Sequence, residues 1–142
     1  MSLKIKLRKR ARFHAIQALY QREMAGTDYI ELRVQFYEDN LQRHPVDWEF
    51  FHDLINGVEQ HQLALDDMIR PLVAREFETV NPVELAILRL GAYELCHRLE
   101  IPFQVIVNEY VEHAKDLGAT DGHRFVNGLL DRLSHQVRAE AS

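Results

Sequence analysis

Asn81-Pro82-Val83-Glu84-Leu85-Ala86-Ile87-Leu88-Arg89-Leu90-Gly91-Ala92-Tyr93-Glu94-Leu95 is the stretch on which the fold turns. It opens as a helix start. Asn81 is a capping residue, Pro82 suits the first helical position, and Glu84 has the spacing of a capping box. Beyond the cap the segment is apolar nearly all round the helical wheel, through Leu85, Ala86, Ile87, Leu88, Leu90, Ala92, Tyr93 and Leu95. A helix with so little polar surface is stable when other elements cover it on every side, so residues 82–98 predict a central buried helix.

The flanking segments supply the cover. Downstream, Pro102 opens a helix to Leu117, which Gly118 closes as the residue after the cap. Thr120 or Asp121 caps a last helix that buries Val126, Leu129, Leu130, Leu133 and Val137. Upstream, residues 47–70 predict a long helix capped by Asp47, with Phe51, Leu54, Ile55, Val58, Leu65 and Ile69 inside. Gln62 falls in that stripe and weakens it. Pro71 interrupts the pattern, and a short helix is expected at about 72–77. Residues 28–42 carry Ile30, Val34, Tyr37 and Leu41 as a narrow amphipathic stripe. Residues 8–25 set Ala11, Ala15, Ala18 and Leu19 on one side, with Phe13, Ile16 and Tyr20 on another. No segment reads as a strand. The expected class is all-α, a bundle of about seven helices.

The 142 residues, 46% of them apolar, suffice for one hydrophobic core. No apolar run approaches the ~20 residues of a membrane span. The basic N-terminus has no apolar segment behind it and is not a secretory signal. The single cysteine, Cys96, excludes an internal disulfide, and the cytoplasm is the expected compartment.

Net charge is −5, which argues against nucleic acid until its distribution is read. Residues 1–22 hold Lys4, Lys6, Arg8, Lys9, Arg10, Arg12 and Arg22 and no acid, so the other 120 residues carry a net −12. Positive potential is therefore concentrated at one end. Arg8 and Arg12 lie one turn apart, Lys9 and Arg10 flank them, and guanidinium forks grip phosphate bidentately. Tyr20, further along, is a candidate stacking ring. By itself the cluster is more simply a solvated basic tail, since such tails are common.

A second group runs from Asp121 through Gly122, His123, Arg124 and Phe125 to Gly128. A helix N-terminus offers unpaired N–H groups to phosphate, Arg124 adds charge, and His123 and Phe125 add ring faces. The same residues are explained by Asp121 capping, Phe125 and Val126 packing, and Gly128 allowing close helix approach. A third group, Glu49-x-x-His52 and Glu94-x-x-His97, has the spacing of a carboxylate-bridged metal site, completed by Glu109 with Glu23 or Glu38. Glu49 falls opposite the apolar stripe of its helix, and no metal or other cofactor is expected. No phosphate loop or nucleophile elbow is present. Cys96 sits in an apolar helix, where a thiol is inert. His14, His44, His61, His113 and His135 are scattered and expected on the surface.

Taken together, Arg8–Arg12 with Ala15–Tyr20, Val83–Leu90 with Tyr93-Glu94-Leu95, Ile101-Pro102, Val107-Asn108-Glu109, Ala114–Gly118 and Asp121–Asp131 resemble the NusB family of bacterial transcription antitermination factors, in order and spacing. The likeness covers nearly the whole chain, strong at 8–22 and 81–133 and weak at 26–75. It implies one domain of two helical subdomains, about 8–75 and 76–138. It also implies a non-catalytic factor that binds boxA-type single-stranded RNA together with NusE, a small-subunit ribosomal protein. In that role it supports processive transcription of ribosomal RNA operons within an RNA polymerase antitermination complex, as monomer or homodimer. Carried over by position, Arg8, Lys9, Arg10, Arg12, Tyr20, Asp121, His123, Arg124 and Phe125 face RNA, and Tyr20, Glu84 and Leu117 face NusE. Gly122 stands where the family usually has Ser, and Lys9 where Arg is frequent. The fold also occurs as the N-terminal RNA-binding domain of some ribosomal-RNA cytosine methyltransferases. This chain ends at Ser142 without a cofactor-binding domain, which suits a stand-alone factor.

Overall fold

The computed structural model describes residues 2–40, 43–118 and 121–138. Within them lie six α-helices: α1 Leu3–Ala25, α2 Tyr29–Asn40, α3 Trp48–Ile69, α4 Pro82–His97, α5 Phe103–Leu117 and α6 Gly122–Val137. The short helix expected at 72–77 is instead two 3₁₀ turns, Arg70–Leu72 and Phe77–Thr79. Pro71 lies in the first, where its missing N–H costs nothing.

α4 is the hub. It packs against α1, α3, α5 and α6, and Leu85 through Leu88 and Leu90 through Leu95 are all buried. Gly57 on α3 makes one of these contacts possible. A Cβ there would lie 2.1 Å from the Tyr93 ring. Arg138, just beyond α6, closes the far end of α4 by donating to the carbonyls of Leu95, Ile101 and Arg98.

Asn81 caps α4 as expected, its Oδ1 accepting from the N–H of Val83 and of Glu84. The capping box stays half-formed, because the Glu84 carboxylate turns away towards Gly122 and Arg75. Asp47 caps α3 through the Phe50 N–H. The α3 stripe is fully buried, and Gln62 within it is satisfied by the Tyr29 hydroxyl, which donates to its Oε1 at 2.8 Å.

Four expectations need correction. α1 begins at Leu3 rather than residue 8, with the Ser2 hydroxyl accepting from the Ile5 N–H, so the basic stretch is helix and not tail. The α2 stripe points outward. Ile30, Val34 and Tyr37 are exposed, while Tyr29 and Leu32 are buried and Phe36 packs on the core. Leu41, the last of that stripe, lies outside the described residues, as does Thr120. Gly118 is extended (φ −90°) rather than left-handed, and the left-handed cap is Gly26 (φ 70°), which closes α1. Gly128 meets nothing within 4 Å; the close approach to α6 is at Gly91, against Leu130.

Candidate nucleic-acid interface

The basic end of α1 is built into the bundle. Arg12 is 3% exposed, and its guanidinium grips Glu94, itself fully buried, through two hydrogen bonds of 2.8 Å. Tyr110 donates its hydroxyl to the same carboxylate. Burial alone would lower the Arg12 pKa, but the bonds and charge of Glu94 outweigh it and raise it. Arg12 therefore has no face to offer a phosphate, a correction to its place in the expected RNA set. The same pair engages Glu94, removing it from the Glu-x-x-His constellation. Among the described residues no cluster of three or more His, Cys, Asp or Glu is placed to hold a metal ion.

The other three bases are half-buried and partnered. Arg8 stacks on Phe50, 4.7 Å from its ring centre, with Nε 3.7 Å from Asp47. Arg10 donates to the Pro45 carbonyl. Lys9 bridges Glu112 at 2.6 Å and Glu109 at 3.0 Å on α5. Burial works against the Lys9 charge, but the two carboxylates prevail and raise its pKa, while Lys9 lowers that of Glu112. Lys4 and Lys6, on the same helix, are exposed.

Twelve residues along α1, about 18 Å at ~1.5 Å per residue, Tyr20 is exposed at the other end. It lines an apolar groove of about 550 Å³ with Ile16, Met24, Phe36, Val83 and Leu117. Tyr20 and Leu117 thus line one groove. Glu84 does not join them. It is buried beside a second cavity of about 630 Å³, lined by Arg75, Thr79, Asn81, Asp121, Gly122 and Phe125. The two cavities meet at Val83-Glu84 on the first turn of α4.

At the start of α6, Asp121 occupies the cap position without a side-chain capping bond. The Glu84 carboxylate lies so near Gly122 that a Cβ there would be 2.5 Å from Oε2. A negative charge thus already sits against the first turn of α6, where phosphate was expected to dock. Gly122, which stands where the family usually has Ser, is what admits it. Phe125 is half-buried with one face under the Arg75 guanidinium, 4.9 Å from the ring centre. Arg124 is exposed and His123 half-exposed, and neither lines the cavity.

This arrangement of a basic α1 end, an apolar groove and an aromatic cavity is carried by a chain that matches the NusB family model over residues 9–135. The chain belongs to the NusB family. It is 47% identical to the transcription antitermination protein NusB of Marinobacter nauticus, over 92% of this chain and 82% of that one. It is 44% identical to the NusB of Legionella pneumophila strain Corby, over 95% and 91%. T. maritima NusB superposes with a TM-score of 0.81 at 29% identity, covering 93% of this chain and 94% of that one. A structure of the antitermination factors NusB and NusE with double-stranded RNA shares the fold at TM-score 0.83 and 22% identity, covering 95% and 99%.

Arg75 and two histidines escaped the sequence reading. Arg75 stood in the weakly patterned 26–75 stretch, and nothing local linked it to Phe125. His113, expected on the surface, is buried against Phe13, as His14 is beside Trp48. Their positions opposite other helices, not their own neighbours in sequence, decide this.

Proposed function

We propose that this NusB-family chain is a transcription antitermination factor that binds boxA-type single-stranded RNA jointly with NusE, with no catalytic step, in support of processive ribosomal RNA transcription in the bacterial cytoplasm. The observation that carries the reading is the seam between α1 and α5. It joins the basic end of α1 to the Tyr20–Leu117 groove and, past Glu84, to the half-exposed ring of Phe125. Phosphates supply charge-dependent affinity and rings supply base contacts, so such a seam suits a flexible strand better than a rigid duplex. The apolar groove at Tyr20 and Leu117 is the surface offered to NusE, whose contact completes the RNA path. The RNA set becomes Arg8, Lys9, Arg10, Tyr20, Asp121, His123, Arg124 and Phe125, with Arg12 acting through the fold. The two subdomains divide at the 3₁₀ segment between α3 and α4. No described helix is long and apolar enough to cross a membrane.

The test is an electrophoretic shift with boxA RNA, with and without NusE, at two salt concentrations. A duplex of the same sequence is the control, because a structural neighbour was solved with double-stranded RNA. The expected result is weak binding alone, tighter binding with NusE, and preference for the single strand. No shift with NusE, or equal affinity for the duplex, would overturn the reading.

A further inference from the structure

We propose that the cavity between Arg75 and Phe125 is a single-nucleobase pocket, with Phe125 as its floor and Arg75 as its second wall. The inference rests on the proposed RNA-binding function and adds a residue and a ligand group to it.

The cavity, about 630 Å³, falls within the size range of small-ligand sites. Its lining sets two carboxylates, Glu84 and Asp121, against one guanidinium, Arg75. That balance repels a phosphate and accepts a neutral base. Asn81 commits its carbonyl oxygen to the cap of α4, which fixes the amide and leaves its NH₂ as a donor at the rim.

Arg75 is placed to act as a wall. Its side chain is about half exposed, and among the described residues it is held only by the Phe125 ring face and by Glu84 Oε1 at 3.9 Å, beyond hydrogen-bond length. In the RNA-free protein the guanidinium therefore occupies the seat of a base. A planar cation swings away at little cost and closes again over an inserted base, giving a Phe–base–Arg stack. Lysine has no such plane.

The experiment measures affinity for a boxA-type single-stranded RNA with NusE present, using the full chain and its Arg75→Ala, Arg75→Lys, Phe125→Ala and Arg75→Ala/Phe125→Ala variants. Circular dichroism checks the fold of each. Phe125→Ala is expected to weaken binding about fivefold to a hundredfold. Arg75→Ala and Arg75→Lys should each weaken it several-fold, and the double variant should be little weaker than Phe125→Ala alone. Removing the base at one RNA position should erase the difference between Arg75→Ala and the unsubstituted protein. The salt slope should not change with Arg75→Ala, since stacking releases no counterion. A slope shallower by ~0.7 would make Arg75 a phosphate contact and overturn the pocket. Unchanged or tighter binding of Arg75→Ala would overturn it as well. Failure of the unsubstituted protein to bind RNA would instead defeat the RNA reading itself.

Discussion

Arg12 is where one residue's sequence and structural meanings part. In the sequence it is one of seven bases near the N-terminus; in the fold it is the partner of Glu94 at the centre of the bundle. The difference comes from helix phase. On α1, Arg12 lies beside Ala11 and Ala15, the small residues that let α4 approach, so its side chain is carried inward. A buried pair of this kind adds little net stability, but breaking it strands a charge. Arg12→Ala leaves Glu94 with Tyr110 alone and is expected to destabilise the fold by about 3–5 kcal/mol. The same loss should not appear when Arg12, Glu94 and Tyr110 are replaced together by Met, Leu and Phe, which leaves no polar group of the cluster stranded. Urea unfolding midpoints check both. Any loss of RNA binding in Arg12→Ala then reports on folding, whereas Arg8→Ala, on the rim, should weaken binding with the fold intact.

At the scale of elements, periodicity located the helices better than it located their faces. The apolar stripes of α3 and α6 were legible because each helix has one apolar and one polar side, although Val137 at the end of the α6 stripe is only partly buried. α2 was not, because its apolar residues fall on two faces. Ile30, Val34 and Tyr37 form the longer regular series, yet Tyr29 and Leu32 are the ones buried. The choice is made by α3, against which Tyr29 finds Gln62 and Arg33 finds Glu59. The histidines failed in the opposite sense. His14 on α1 and His113 on α5 are buried, and among the described residues no hydrogen bond of good geometry reaches Nε2 of His113, while Gln17 beside His14 only partly offsets its burial. Burial holds both pKa values below the ordinary 6.5, with His44 and Arg43 adding to the effect at His14 and Lys9 at His113. The unfolded chain therefore binds more protons than the folded one as pH falls through 6.5. Stability is fully present above that value and is lost progressively down to the lowered folded pKa values. Unfolding midpoints measured from pH 8 to pH 5 should fall, and His113→Gln should flatten that fall. An equally steep fall in the variant would assign the effect to other groups.

At the scale of the molecule, the charge asymmetry that first suggested RNA is answered in part within the chain. Arg8 faces Asp47, Lys9 bridges two glutamates, and Arg12 is spent on Glu94. On the proposed RNA reading, an incoming phosphate must compete with these acids, so weak binding by the free protein is expected and a second binding surface becomes valuable. Each phosphate neutralised on a single strand contributes a slope of about −0.7 in log K against log salt. Engagement of four to six bases gives an overall slope of roughly −3 to −4. Glu112 tests the competition directly, because its side chain is 60% exposed and its removal leaves the core untouched. Glu112→Gln loosens Lys9, so binding at low salt should tighten and the slope steepen by up to ~0.7. Filter binding over a salt series reads both quantities. A slope near zero would dismiss phosphate contacts altogether. Tighter binding at unchanged slope would show that Glu112 acts by long-range repulsion and that Lys9 stays with Glu109.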